Sequence, residues 1–214
     1  MALHSGDEQI GRYEEGGKTH AQQILGMVDA VLAEAGLSLS MLDGLAASIG
    51  PGAFTGVRIS VAVAQGLAFG AGLRVVPVTT LEALAFQLLR RGASRAIACL
   101  DARMGEVYWG CFAVDRDRGV RAEGALRVGP PDTVAPPAGV YHGIGRGFAA
   151  YPALAALPGL RLGAEDARAL PNAGEFALLG ALRLAAGEGL DPADLSPLYV
   201  RDKVALTEAE RAAQ

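Results

Sequence analysis

Gly50, Gly52 and Gly56, in the run SIGPGAFTGVRIS, are the residues whose type and spacing come nearest to a site for chemistry. Glycines opening onto a helix let backbone N–H groups converge on an anion, so with Thr55 they form a candidate phosphate loop. A Walker-type loop needs G-x-x-x-x-G-K-[ST], with its lysine on the terminal phosphates. The only lysines here are Lys18 and Lys203, which removes that reading. A dinucleotide fingerprint needs G-x-G-x-x-G and an acidic residue about twenty positions on. Here the glycines stand one residue too far apart and that acid is missing. What the spacing supports is a tight strand-to-helix turn, in which glycine permits positive φ and close packing.

Other chemistry-bearing residues are sparse. His4, His20 and His142 are far apart, and Cys99 and Cys111 lack metal-ligand spacing. The cysteines are expected to be inert buried thiols, and His20 to serve as a cap of the first helix or at an interface. Asp101, Arg103 and Glu106, in the stretch DARMGE, make a polar cluster in the second half. Its ordinary reading is a solvated hairpin tip; its functional one is a contact site for RNA.

The elements that must position these residues are legible from pattern. ALHSGDEQIGRYE reads as a hairpin around SGDE. Ile24, Leu25, Val28, Val31, Leu32 and Ala35 recur at helical spacing behind Thr19 as a cap, with Met27 and Ala30 widening the apolar sector. LDGLAASIG reads as a buried strand, followed by the glycine turn and a helix over 54–69. That helix is apolar or small on nearly every side, so it is either sunk in a core or packed closely on another helix. RVVPVTT is a strand and LEALAFQLLRR a helix. The order ββαβαβα defines an α/β lobe over 1–93. A hairpin over 94–114 opens a second lobe, 94–214. Strand fragments and loops follow over 115–137, then a strand into a glycine turn in GVYHGIGRGFAAY. A helix at about 172–187, capped by Asn172, is placed to pack back on the first lobe. An extended, docked tail closes the chain.

Of the 214 residues 51% are hydrophobic, enough for a sizeable core. Net charge is −4, and Arg90–Arg91 is the only adjacent basic pair. Strong independent binding of nucleic acid is therefore not expected. The opening residues are polar, without a signal-peptide pattern. The longest apolar run, 57–73, is interrupted by Arg58 and Gln65. A cytoplasmic protein with no membrane partner is the expectation.

The run GPGAFTGVRI is specific beyond its glycines. It resembles the TsaB (YeaZ) family of tRNA threonylcarbamoyladenosine proteins. HAQQILGMVDAVLAEAGL, DARMGEVYWGCF and LSPLYVRDKVALTEAER carry the resemblance along nearly all of the chain. It implies a two-lobed actin-like (ASKHA, RNase H-like) α/β fold. It also implies a non-catalytic subunit that binds and activates TsaD. With the ATPase TsaE, TsaD would transfer threonylcarbamoyl to the adenosine next to the tRNA anticodon, so tRNA is met indirectly. TsaD carries H-x-x-x-H on the helix after the matching strand. Thr80 and Leu84 stand at those positions here, so no catalytic residue, metal or cofactor is expected. Weak nucleotide binding at Gly50, Gly52, Thr55 and Gly56 is the vestige the loop could retain.

Docking is implied through the first two helices. The first offers Ile24, Met27, Val28 and Val31. The second offers Val57, Val61, Ala64 and Ala68, with Arg58 and Gln65 giving orientation. The same surface would pair with itself in a homodimer when the chain is alone. The competing reading is an actin-like ATPase or a glycoprotease-type metallopeptidase acting by itself. Family members also open with a strand ahead of the segment matching Met1–Leu3. In this numbering the first lobe is therefore expected to lack its usual first strand.

Overall fold

The computed structural model describes residues 1–6, 8–13 and 20–201. Thr19 as a cap, Asp7 of the first turn, the His20 side chain and the tail beyond Arg201 lie outside the described residues.

The first lobe follows the order read from the sequence. β1 (Ala2–Ser5) and β2 (Glu8–Gly11) form an antiparallel hairpin. α1 (His20–Ala35) leads to β3 (Gly44–Ser48), α2 (Phe54–Ala71), β4 (Arg74–Val78) and α3 (Thr80–Gln87). β3 and β4 run parallel, Gly44 opposite Arg74, with α2 as the crossover. α2 ends where Gly72, at φ 69°, takes the left-handed conformation that closes a helix. α3 opens on a capping box: Thr79 Oγ1 accepts from Glu82 N at 3.1 Å, and Thr79 N donates to Glu82 Oε2 at 2.7 Å.

The second lobe is a six-stranded sheet. β5 (Arg95–Arg103) and β6 (Glu106–Asp115) form its central hairpin. β7 (Gly119–Ala122) and β8 (Arg127–Gly129) both pair with β6. These are the strand fragments expected after residue 115. β9 (Tyr141–Ile144) lies parallel to β5, α4 (Arg146–Ala150) follows it, and β10 (Leu160–Arg161) pairs with β9.

α5 (Ala173–Ala185), capped by the Asn172 side chain accepting from Gly174 N at 2.9 Å, crosses back onto the first lobe. It packs against β1, β3 and β4. At Gly180 a Cβ would stand 2.6 Å from the Ala46 methyl, so only glycine allows this approach. One core spans the two lobes: Val76, Val78, Leu81, Leu84, Phe112 and Leu179 are each 1% exposed or less. Each such side chain contributes roughly 1.5–3 kcal/mol on burial. A second core lies behind the second sheet, around Ile97, Trp109, Tyr141 and Phe148.

The first lobe is not one sheet. Among the described residues β1–β2 and β3–β4 are separate pairs with no strand between them.

Candidate functional site

The glycine turn joins β3 to α2. Gly50 has φ 95°, which requires glycine; Gly52 and Gly56 have negative or extended φ and no crowding closer than 3.5 Å. Thr55 is exposed at the helix start. The turn is tied to α3, not left open around an anion. Thr80 N donates to Gly50 O at 2.8 Å, and the Ser48 and Thr80 hydroxyls lie 3.2 Å apart. Thr80 and Leu84, the positions that match the histidine pair, are buried at 9% and 0% exposure. Among the described residues no three His, Cys, Asp or Glu side chains converge.

The proposed helix interface is where the structure corrects the sequence reading. Val61, Ala64 and Ala68 are buried, packed with Ala47, Leu73, Val75 and Leu195 of the same chain. They close the space over β3 and β4, Ala64 alone also edging the neighbouring cleft. Ile24, Val28 and Val31 of α1, with Val57 and Ala64 of α2, do come together, along a partly open, largely apolar cleft of about 1460 Å³. Val31 is 2% exposed. Met27 is half-buried and lies outside the cleft lining. Gln65 is an internal tie, since its Nε2 donates to Pro192 O at 2.9 Å and Leu195 O at 3.0 Å. It orients the segment 192–195 rather than a second protein.

What α2 shows to the outside is its other face: Thr55, Arg58, Ala62, Gly66, Phe69 and Gly70. Phe69 is 82% exposed. By length and composition α2 is apolar enough to cross a membrane, 18 residues at hydropathy 1.3, yet only 11% of it is buried within the chain. At its N-terminal end Arg58 is held between two aromatic rings. Its Cζ lies 3.7 Å from the Phe54 centroid, and its Nε donates to the Tyr199 hydroxyl at 2.9 Å. Phe54 and Tyr199 remain about half exposed. The sequence reading singled out Arg58 but missed both rings and Phe69. Phe54 and Phe69, at the two ends of an otherwise small-residue helix, were the available signal; Tyr199, 141 residues from Arg58, had none.

Asp101, Arg103 and Glu106 are brought to one hairpin tip, but they do not form one cluster. Arg103 N donates to Asp101 Oδ1 at 2.8 Å, and Arg103 Nη1 lies 3.6 Å from Asp101 Oδ2. Glu106 turns to Arg201, which also donates to Ala102 O at 3.1 Å. The tip therefore clasps the docked tail. Arg103 and Met104, at φ 63° and 54°, make the tight reversal.

Polar groups elsewhere are structural. Arg95, Glu123 and the Tyr141 hydroxyl form a closed set, with Arg95 Nη2 2.8 Å from Glu123 Oε2 and Tyr141 OH donating to the same oxygen at 3.0 Å. The Arg95 bond, ahead of the tyrosine's, holds the Glu123 carboxyl below the usual carboxylate range. Burial pushes the Cys99 thiol up to about 12 and the Cys111 thiol to about 11. Both remain protonated near neutral pH and are poor nucleophiles.

Two α/β lobes joined through a shared core, with a small-residue helix laid over the first, define the class: an actin-like protein. Comparison with known proteins agrees. The family model for tRNA N6-adenosine threonylcarbamoyltransferase, TsaD, matches residues 13–124. The Escherichia coli tRNA threonylcarbamoyladenosine biosynthesis protein TsaB is 37% identical over 193 residues, 88% of this chain and 83% of that protein. YeaZ from Pseudomonas aeruginosa superposes with TM-score 0.83 at 39% identity, covering 92% of both chains. A Pseudomonas aeruginosa protein described as similar to peptidase YeaZ gives TM-score 0.84 at 40% identity, over 94% of this chain and 93% of that one. The chain belongs to the TsaB (YeaZ) family.

Proposed function

We propose that this chain serves tRNA threonylcarbamoyladenosine biosynthesis as the subunit that binds and activates TsaD, and is not itself the catalyst. The observation that carries the reading is the identity to TsaB along almost the whole chain. Two features of the molecule support it. Thr80 and Leu84 are engaged in the capped start of α3 and in the core, and neither side chain is a useful metal ligand. The outward face of α2 is apolar, nearly uncharged and rich in small residues, the composition that lets a second helix approach closely.

In this reading the docking surface is Arg58, Ala62, Gly66 and Phe69, replacing the buried Val61, Ala64 and Ala68. Phe69 supplies the large apolar anchor, and Arg58, already ordered by Phe54 and Tyr199, sets orientation at little entropic cost. The same face would pair with itself in the absence of TsaD. TsaE would act through TsaD, tRNA would be met only in the complex, and all of this belongs in the cytoplasm.

The double variant Ala62→Arg, Gly66→Arg tests the surface. Both positions are exposed, so the fold should survive. Seating two unpaired guanidinium groups in an apolar interface costs several kcal/mol, an affinity loss for TsaD of about 100-fold or more. Titration calorimetry showing undiminished binding would rule this face out.

A further inference from the structure

Arg90–Arg91, the one adjacent basic pair of the sequence, has no part in the role proposed above. Both side chains line a recess of about 190 Å³ that the turn after α3 shares with the start of α5. Ile144, the last residue of β9, also lines it, and Asp166 enters from the segment that follows β10. β5, β9 and β10 run parallel. The recess thus stands off the carboxyl ends of parallel strands, where α/β sheets ordinarily hold ligands.

Its charges do not close on themselves as the Arg95–Glu123–Tyr141 set does. Glu175 is the third residue of α5, a position from which glutamate ordinarily reaches back to the cap N–H, as Glu82 does in α3. Here the side chain is turned inward, to 4% exposure. Oε1 meets Arg90 Nη2 at 3.0 Å, and Oε2 has no hydrogen-bond partner. A buried carboxylate oxygen in the wall of an open space calls for a donor. The mouth, by contrast, is cationic. Arg90 and Arg91 are 68% and 48% exposed, Arg90 pairing with Glu175 and Arg91 with Asp166. Arg91 meets a second acid, the 91% exposed Glu165, only at 3.6 Å. A guanidinium has five N–H donors, so both arginines keep donors for an anion.

The recess therefore suits a cationic N–H donor inside and an anion at the mouth. Arg90 and Glu175 are themselves in contact, so the ligand's two charges must lie close together, as one intervening carbon places them. A cavity of ~150 Å³ takes the six carbons of benzene, so 190 Å³ takes about seven or eight non-hydrogen atoms. That is below the ~300 Å³ at which pockets for larger ligands begin, and excludes a nucleotide or coenzyme.

We infer that the recess is a binding site for a free α-amino acid with a short side chain, its ammonium on Glu175 and its carboxylate on Arg90 and Arg91. Arg90, largely solvated, swings aside to admit it, and Glu175 stays in place. This inference does not depend on the role proposed above.

Titration calorimetry of the whole chain with glycine, alanine, serine and threonine tests it, with acetate and methylammonium as probes that carry one charge each. The expected result is saturable one-site binding of at least one amino acid, about 10-fold or more tighter than either single-charge probe. Glu175→Gln, which keeps the shape and removes the charge, should weaken it by about 10-fold or more. Arg90→Lys keeps a charge beside Glu175 without the forked donors and should weaken it too, which preserves the test if Glu175→Gln fails to fold. Binding of none of the four leaves the recess to water and overturns the inference. Undiminished binding by the folded variants overturns it, as does acetate binding as tightly as the amino acids, the mark of a plain anion site.

Discussion

Replacing Gly66 by alanine separates what α2 does for its own chain from what it offers a partner. Gly66 is exposed in mid-helix, and nothing lies within 4 Å of where a Cβ would stand. The new methyl meets no atom, while the helix gains the alanine–glycine propensity difference, about 0.8–1 kcal/mol. For a chain of this size each kcal/mol moves Tm by about 2–4 °C. The isolated variant should melt about 2–4 °C higher, followed by circular dichroism or calorimetry at low protein concentration. Its affinity for TsaD should fall, because the methyl intrudes where the partner helix closes on glycine. A lower Tm would refute the reasoning, since it would mean that this face is already covered in the isolated chain. Higher stability with unchanged TsaD affinity would show that no helix approaches Gly66.

Three further outcomes follow from the internal contacts. Gln65→Leu leaves the Pro192 and Leu195 carbonyls without their donor. In this half-buried setting it should cost about 1–2 kcal/mol in urea unfolding and open residues 192–201 to proteolysis, with TsaD affinity lowered as Tyr199 loses its hold on Arg58. Leu81→Ala, at a position with 0% exposure, should cost about 2–5 kcal/mol by the same assay. Glu175 is 3% exposed, its Oε2 has no hydrogen-bond partner, and Arg90 lies 3.0 Å from Oε1. Burial raises its pKa, against the opposing pull of Arg90. The folded state thus binds a proton more readily than the unfolded one, and this carboxyl's contribution to stability falls as pH rises above the ordinary value of 4.5. Glu175→Gln should flatten that decline; an unaltered pH–stability profile between 4.5 and 7 would contradict it.

The elements of the first lobe were readable because their hydrophobic patterns are local. The turn residues of the first hairpin and the helical repeat of Ile24, Val28 and Val31 act within a few residues of one another, as does the Asn172 cap of α5 in the second lobe, whereas the Thr79 cap and the glycine ending α2 emerged only from the structure. The orientation of α2 was not readable, for a related reason. Val61, Ala64 and Ala68 on one side and Ala62, Gly66 and Phe69 on the other are equally small or apolar, so periodicity cannot say which side the core takes. That choice is made by β3, β4 and Leu195, the last more than 120 residues away. Arg58 with Tyr199, Gln65 with Pro192 and Glu106 with Arg201 are likewise pairings of distant segments. The Thr80 and Leu84 positions were legible only through the family resemblance, which lays VTTLEALA on the H-x-x-x-H pattern.

The most direct test of the account is formation of threonylcarbamoyladenosine in a reconstituted reaction. Unmodified tRNA, threonylcarbamoyl-AMP, TsaD and TsaE would be combined with and without this chain, and the modified nucleoside quantified after digestion. The account predicts product that depends on the chain, is lost with Ala62→Arg, Gly66→Arg, and is absent when the chain replaces TsaD. Equal product without the chain would contradict its role as the activating subunit.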